Sequence, residues 1–384
     1  MKKNNFLVKF ILPFIAVIVA ACTPSGSSDS SNGSTPVGDG KTKIALLING
    51  NLGDMSFFDS AAAGMEKFKK DYPEVVVDIV EMGTDNTRWE PTLRLTANDD
   101  YDLIIVGTND MREPLQRVTK NKRYDDKRFI LFDAEIEDDK AADYPTVHSV
   151  LFKQNEGGYL AGALAALMTL DANKTKTGFI GGMKIDIIND FGYGFMQGVN
   201  KVNDALDQNV LAYNSYIGDF FNSPKGKTLA DTMFNEGDVE VLFAAASQAG
   251  LGTFDSAKNN NKYVIGVDSD QYEYFADVDV AKAERIVTSV LKRVDLTLYE
   301  LSEQFLNDEL EYAVLQYEGL KEGKIGIVQN DNYKSIVSLD NQTFIEGLIA
   351  EIISGDIVVE SGLRRFTSTA ALNAYYDSLD PNKQ

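Results

Sequence analysis

The sequence predicts an α/β protein made of two doubly wound lobes joined by a hinge. Short apolar runs rich in β-branched residues alternate with amphipathic stretches along most of the 384-residue chain, which is the pattern of strands and helices in parallel sheets. Acidic or glycine-rich loops follow many of the apolar runs. The chain is also longer than one hydrophobic core usually serves. Together, these observations predict two lobes, each with its own sheet.

The N-terminus, residues 1–21, predicts a signal peptide. Lys2, Lys3 and Lys9 flank an apolar segment that is too short to span a bilayer comfortably. Small residues then precede Cys22, the only cysteine in the chain. This arrangement resembles the lipobox of bacterial lipoproteins, in which the mature chain begins at a cysteine that carries diacylglycerol. The alternative is an ordinary secreted protein, and in either case a single cysteine forms no internal disulfide.

Residues 22–40 predict a flexible tether because they are rich in serine and glycine and contain almost nothing that could be buried. No later stretch reaches the roughly 18 uninterrupted apolar residues of a membrane helix. We therefore expect a body on the extracytoplasmic face of the cell membrane, anchored in the bilayer by a lipid on Cys22.

Strands and helices alternate regularly in the first part of this body. After the first strand, Ser56 or Asp59 is expected to cap a helix whose buried face carries Ala62, Met65 and Phe68. Strands are expected at 44–48, 75–80, 103–106 and 129–132, with further helices that include 93–98 and 113–119. Such alternation predicts parallel strands with helices on both faces of the sheet.

A second set of alternating elements begins near Val147. A long helix over 152–168 comes first, and its alanine and glycine residues favour close packing against another helix. The later elements are strands at 178–182, 211–217, 239–244, 263–267, 285–291 and near Gly326, and helices at 190–202, 225–235, 250–259, 294–305 and 341–354.

We assign residues 41–150 and 286–312 to lobe 1, and residues 151–285 and 313–384 to lobe 2. A chain that crosses between its lobes more than once creates a hinged cleft. A cleft with a hinge suggests capture of a small ligand.

The composition argues against several other classes of function. The formal net charge is −21, which disfavours nucleic-acid binding because phosphate contacts need clustered lysine and arginine. The single histidine, His148, argues against a histidine-based metal site or catalytic triad and is expected to be structural, in or beside a strand. The motifs of serine hydrolases, P-loop proteins and zinc peptidases are absent, and GFIGG at 178–182 lacks the spacing of a dinucleotide fingerprint. We therefore expect no enzymatic activity, no cofactor and no metal.

The stretch YVIGVDSDQYEY, residues 263–274, ends an apolar strand with acidic residues. Because ligands of α/β sheets bind outside the carboxyl ends of the strands, Asp268 is the first residue expected to face a ligand. A capping or turn aspartate is one alternative, and Asp270 is expected to be a turn residue. A calcium loop is another alternative, although the EF-hand spacing needs glycine and glutamate where the chain has Glu273 and Asp279.

Five segments carry a resemblance to a known family: GDMSFFDSAAAGMEKF at 53–68, FKQNEGGYLAGALAALM at 152–168, TGFIGGMKIDIINDFGYGFMQGV at 177–199, FFNSPKGKTLA at 220–230 and YVIGVDSDQ at 263–271. Together they resemble the basic membrane protein family of bacterial lipoproteins, which includes the purine nucleoside receptor A proteins of ABC transporters. The resemblance implies the type I periplasmic binding protein fold and capture of a purine nucleoside for uptake by an ABC permease.

The resemblance also implies roles for individual residues. The base would lie between aromatic rings, and charged groups would hold the ribose hydroxyls. Asp268 would accept from these hydroxyls, Lys292 would donate to the same sugar, and Phe191 would stack on the base. The other implied ligand-binding residues are Asp54, Phe57, Phe58, Asn109 and Asp133 in lobe 1, with Gly250 approaching through its backbone in lobe 2.

Four positions depart from the family pattern, two of them in GGMKID, where Lys184 and Asp186 replace the commoner acidic residue and proline. Phe58 stands where the family usually has asparagine, and Ala62 stands where an aromatic residue is often found. Either Phe57 or Phe58 is therefore the candidate for the lobe-1 side of the base slot. The rival functions are a receptor for a sugar or other small polar ligand, a surface adhesin or antigen, and a nucleoside hydrolase. We expect a monomer.

Overall fold

The structure is a computed structural model that describes residues 41–136 and 140–363. The predicted signal peptide, the tether and Cys22 lie outside the described residues, as does the predicted end of lobe 2 at 364–384. Within the described ranges, no helix is both long and apolar enough to cross a membrane.

Twelve strands and twelve α-helices follow one another along the described chain. The strands are β1 (Lys43–Ile48), β2 (Val76–Glu81), β3 (Leu103–Gly107), β4 (Arg128–Phe132), β5 (Val147–Phe152), β6 (Lys176–Gly181), β7 (Leu211–Tyr216), β8 (Val241–Ala245), β9 (Tyr263–Asp268), β10 (Ile286–Lys292), β11 (Val314–Glu318) and β12 (Ile325–Ile327). The helices are α1 (Phe57–Asp71), α2 (Trp89–Asn98), α3 (Arg112–Thr119), α4 (Gln154–Asp171), α5 (Asp186–Leu206), α6 (Ser223–Asn235), α7 (Ser247–Asn260), α8 (Glu273–Ala276), α9 (Val280–Ala283), α10 (Val294–Leu306), α11 (Asp331–Ile336) and α12 (Leu339–Ser354).

The strands form two six-stranded sheets. The first has the order β11-β5-β4-β3-β1-β2, and the second has the order β12-β10-β9-β8-β6-β7. All pairs are parallel except β10 with β12. Each order reverses direction around its central strands, so the predicted class of two doubly wound α/β lobes is confirmed.

The side-chain alternation of β1 shows how each sheet is buried on both faces. Ala45 and Leu47 join the cluster that contains residues of α2 and α3, whereas Leu46 and Ile48 join the cluster that contains residues of α1. Successive side chains of a strand point to opposite faces. A strand that is apolar on both faces therefore requires a helical layer on each side of the sheet.

The chain crosses between the two sheets three times. It passes from β5 into α4, from β10 into α10, which packs against α1, and from β11 into β12. These crossings differ from the predicted lobe boundaries, because β10 belongs to the second sheet and β11 to the first. The predicted segment 286–312 is thus divided between the lobes. Strand periodicity identifies a strand but does not identify the neighbour with which it pairs.

Most predicted elements are confirmed within a few residues, and the differences have local causes. The helix predicted from Phe152 begins at Gln154, because Phe152 ends the fully buried strand β5. Strand β11 was not predicted, because four of its five residues are only partly buried or exposed at the edge of the first sheet. His148 lies within β5 and is 2% exposed, so its predicted structural position is confirmed.

Helices α4 and α5 pack closely through glycines, as the small residues of the segment predicted. A Cβ atom on Gly158 would lie 2.2 Å from the carbonyl oxygen of Phe191, and one on Gly162 would lie 1.9 Å from that of Phe195. Cβ atoms on Gly194 and Gly198 would meet the α4 backbone at 2.0 and 1.9 Å. The backbones of the two helices are therefore in direct contact, which leaves no room for any side chain between them.

The segment that follows α12 is fixed to this helix pair. Asn155 Nδ2 donates to the carbonyl of Val359 at 2.9 Å. The fully buried Asp190 carboxylate accepts from Ser361 Oγ at 2.8 Å, from the Gly362 N–H at 2.5 Å and from Gln154 Nε2 at 2.6 Å. Burial raises the pKa of Asp190 to about 6, although these hydrogen bonds oppose the shift.

We expect Asp190→Asn to remove a pH-dependent loss of stability. The raised pKa means that the folded state holds a proton that the unfolded state has released, so stability falls as the pH rises from about 4 to about 6, by roughly 3 kcal/mol. The asparagine removes this ionisation, and Gln154 can rotate its amide to accept from it, because Gln154 Oε1 has no hydrogen-bond partner among the described residues.

Urea unfolding of both proteins at pH 4, 5, 6 and 7 measures this effect. The difference in unfolding free energy between Asp190→Asn and the unaltered protein should grow in favour of the variant across this range. A difference that stays constant with pH would show that Asp190 titrates normally.

Candidate functional site

The candidate site lies where the carboxyl ends of the two sets of parallel strands face each other. Asp133 follows β4 in the first sheet, while Asp268 and Lys292 end the neighbouring strands β9 and β10 in the second. These three side chains belong to residues that are only 7%, 6% and 1% exposed. Charged residues are seldom so buried unless they are paired or serve a ligand.

Lys292 connects the two lobes. Its ammonium group forms a buried ion pair with Asp133. The same Nζ atom lies 5.3 Å from the ring centroid of Phe57, 5.2 Å from that of Phe152 and 5.7 Å from that of Phe191. Aromatic rings at this distance attract a cation, and the attraction is stronger where water is excluded. The site is therefore a charged centre lined by rings from both lobes.

Asp268 reaches across the same cleft and accepts a hydrogen bond from the Ser56 hydroxyl of lobe 1. Burial raises its pKa to about 7, while the nearby Lys292 and the Ser56 hydrogen bond act in the opposite direction. Burial also raises the pKa of Asp133, despite the ion pair with Lys292. For both carboxyl groups, the effect of burial on the pKa outweighs that of the favourable contacts.

Asp54 organises the start of α1 on the lobe-1 side. Its carboxylate accepts from the N–H groups of Ser56, Phe58 and Asp59 at 3.0–3.1 Å, and from Ser247 Oγ of lobe 2 at 2.9 Å. The predicted cap of α1 is confirmed at Ser56 by position, but not by a side-chain hydrogen bond. Ser56 occupies the N-cap position without a side-chain capping bond, because its hydroxyl is directed to lobe 2 and Asp54 satisfies the free N–H groups instead.

The two candidate rings at the start of α1 have different surroundings. Phe57 stacks on Phe132 with centroids 5.6 Å apart, and it is the ring that faces Lys292. Phe58 lies edge-on to Phe57 at 5.3 Å and covers Gly50, where a Cβ atom would come within 2.4 Å of the Phe58 ring. Of the two, Phe57 is the one that lines the charged centre.

Two sequence-predicted residues make none of the contacts described above. Asn109 is exposed in a short 3-10 turn after β3. The helix predicted from Gly250 begins earlier, at Ser247, so Gly250 lies in the first turn of α7. Its N–H donates to Ala246 and its carbonyl accepts from Thr253, so both backbone groups are already used within the helix.

Several site residues were not predicted. Ser247, Gln271 and Phe152 join the residues above, and each follows or ends a strand whose carboxyl end faces the cleft. The backbone also carries a local signal, since Asp133, Asp268, Ser247 and Met55 all have positive φ angles of 47–69° without being glycine. Strained backbone of this kind is concentrated at functional sites.

Among the residues that the structure describes, no group of three or more histidine, cysteine, aspartate or glutamate side chains could hold a metal ion. Asp270 accepts from the N–H of Tyr272 at 3.2 Å and from Asn330 Nδ2 at 3.1 Å, which is the predicted turn role.

Comparison with known proteins places the chain beside substrate-binding proteins. Residues 41–361 match the family described as ABC transporter substrate-binding protein, PnrA-like. A CD4+ T-cell-stimulating antigen of Listeria monocytogenes is 30% identical over 377 residues, which cover 94% of this chain and 99% of that protein. Basic membrane protein B of Borreliella burgdorferi is 27% identical over 342 residues, covering 87% and 93%. A solved ABC transporter solute-binding protein from Aeropyrum pernix K1 has a TM-score of 0.74 and 25% identity, covering 89% of this chain and 98% of that chain.

Proposed function

Because the chain belongs to the PnrA-like family of ABC transporter substrate-binding proteins, we propose that it captures purine nucleosides between its lobes and delivers them to a membrane permease. The family and the solved protein from Aeropyrum pernix K1 are solute-binding components of ABC transporters and not enzymes. The observation that carries the proposal is the buried centre formed by Asp133, Asp268 and Lys292, with Phe57 and Phe191 beside it.

The charge balance of this centre suits a ligand that donates hydrogen bonds. Asp54, Asp133 and Asp268 bring three carboxylates together with only one cation, Lys292, among the groups that act on Asp268. The two neighbouring hydroxyls of a ribose can donate hydrogen bonds to one carboxylate and accept a hydrogen bond from the lysine. These bonds would offset the cost of burying the carboxylate and the ammonium group. We propose that the sugar replaces the Ser56 hydroxyl on Asp268.

The aromatic residues suit a flat, partly apolar base. Phe57 projects from lobe 1 and Phe191 from lobe 2, and both lie within 6 Å of the Lys292 ammonium by their ring centroids. A base beside the sugar would therefore meet a ring from each lobe. This arrangement makes ligand capture depend on closure of both lobes.

Titration calorimetry tests the proposal directly. Ligand-free protein, checked for carried-over compounds by mass spectrometry, is titrated with adenosine, guanosine, inosine, uridine and free ribose. We expect heat with at least one purine nucleoside and much weaker binding of ribose, because ribose lacks the base. If ribose binds as well as every nucleoside, the protein is a sugar receptor, and if none of the compounds gives heat, the proposal fails.

We also propose that the mature chain is held at the membrane by lipid on Cys22, since small residues precede this single cysteine and a tether-like segment follows it. We propose a monomer as its oligomeric state. Cys22→Ser should release the protein from the membrane fraction of cells that produce it. A variant that remained in that fraction and could not be washed off would contradict the anchor.

A further inference from the structure

We propose that Gln271 is a closure residue that holds the two lobes together independently of the ligand. Its side chain makes two hydrogen bonds. Gln271 Nε2 donates across the cleft to the carbonyl of Met55 at 3.0 Å, and Gln271 Oε1 accepts from the N–H of Val267, beside Asp268, at 2.9 Å. One side chain thus ties the loop before α1 in lobe 1 to the end of β9 in lobe 2.

The Gln271 side chain is fixed before it reaches the other lobe. The residue is only 1% exposed, and its N–H donates to Ser289 Oγ at 3.1 Å. The side chain lies directly over Gly266, where a Cβ atom would be 2.5 Å from Gln271 Oε1 and 2.7 Å from Ser289 Oγ. A glutamine held in this way loses little further conformational entropy when it meets the Met55 carbonyl. Most of the free energy of the hydrogen bond therefore stabilises the closed state.

The acceptor on lobe 1 is held in place as well. Met55 has a φ of 51°, a left-handed conformation that costs a non-glycine residue free energy. The Asp59 carboxylate accepts from the N–H groups of Gly53 and Met55 at 2.7 and 2.8 Å. These hydrogen bonds hold the loop within lobe 1, and the Met55 carbonyl accepts the hydrogen bond from lobe 2.

This contact differs from the other bridges between the lobes. The Ser56–Asp268 and Lys292–Asp133 contacts involve groups that a ligand in the proposed site would use. The bond from Gln271 ends on a backbone carbonyl, and neither partner is among the groups proposed to contact the ligand. Closure through Gln271 therefore persists when a ligand rearranges the charged centre. This inference rests on the proposed function in one respect, namely which groups the ligand contacts.

Gln271→Glu tests the proposal, because it keeps the size of the side chain and an acceptor for Val267 but removes the donor and turns a carboxylate toward the Met55 carbonyl. In ligand-free protein we expect a larger radius of gyration by small-angle X-ray scattering and faster hydrogen exchange in the segment 53–59. With a ligand found by calorimetry, the dissociation rate should rise about tenfold, while the association rate changes less than about twofold.

Two further variants separate closure from folding. Gln271→Met lacks the added charge and should show the same changes to a smaller degree, and Gly266→Ala should reproduce them by displacing Gln271. Gln208→Glu makes the same change at an exposed position and should alter nothing. Unchanged scattering and exchange in Gln271→Glu and Gln271→Met would overturn the closure role whether or not a nucleoside binds. Altered scattering with no nucleoside binding in the unaltered protein would reject only the proposed ligand.

Discussion

Replacing Asp268 with alanine is expected to weaken nucleoside binding at least tenfold. A buried, charge-assisted hydrogen bond contributes about 1.5–3 kcal/mol, and Asp268 is proposed to accept more than one from the sugar. The same change should leave the ligand-free protein equally or more stable at pH 8. Because burial raises the pKa of Asp268 to about 7, its ionised form destabilises the fold above that pH, and alanine removes this effect.

Opposite changes in affinity and stability distinguish a binding residue from a structural one. Calorimetry gives the affinity, and urea unfolding at pH 8 gives the stability. Asp268→Asn keeps the shape and one acceptor, so its affinity should fall between those of the alanine variant and the unaltered protein. Asp277→Asn removes one charge at an exposed position nearby in the chain and serves as the control. Undiminished affinity of Asp268→Ala would exclude Asp268 from the site.

The fold was largely predictable because strand and helix periodicities are local. The apolar run at 44–48 and the alternation that follows it were sufficient to predict β1, α1 and β2, since each pattern is contained within a few residues. The pairing of β10 and β11 was not predictable in this way. Strand β11 pairs with β5, which lies more than 160 residues earlier in the chain, as in the pair of Val314 with His148. Nothing in the sequence of either strand indicates which strand it pairs with.

The candidate site was predictable where a residue ends a recognisable strand. Asp268 was found by this rule, and the resemblance added Lys292 and assigned a ligand-binding role to Asp133. The bridges between the lobes were not found, because Ser56 and Asp268 are 212 residues apart in the chain and their contact depends on how two separate sheets face each other. The role of Asp54 at the start of α1 was missed for a simpler reason, since Ser56 and Asp59 are equally good capping residues by type.

Gly162→Ala is expected to be strongly destabilising, although it adds only one methyl group. The added Cβ would lie 1.9 Å from the Phe195 carbonyl oxygen and 2.7 Å from its carbon, so the contact is with backbone and cannot be relieved by rotating a side chain. Helices α4 and α5 must separate, which we expect to lower the free energy of unfolding by about 3 kcal/mol. With an unfolding entropy of about 2.1 cal/mol/K per residue, that loss corresponds to a fall of roughly 4 °C in melting temperature.

Gly347→Ala is the matched control, because it makes the same substitution within a helix. Gly347 is an exposed residue of α12, and a Cβ atom there would meet nothing within 4 Å. Alanine favours a helix over glycine by up to about 1 kcal/mol, so this variant should be slightly stabilised. Opposite signs for the two glycines, measured by urea unfolding, would show that helix contact and not helix propensity decides the effect. Because α5 also carries Phe191, a folded Gly162→Ala protein should bind its ligand more weakly, whereas Gly347→Ala should bind it unchanged.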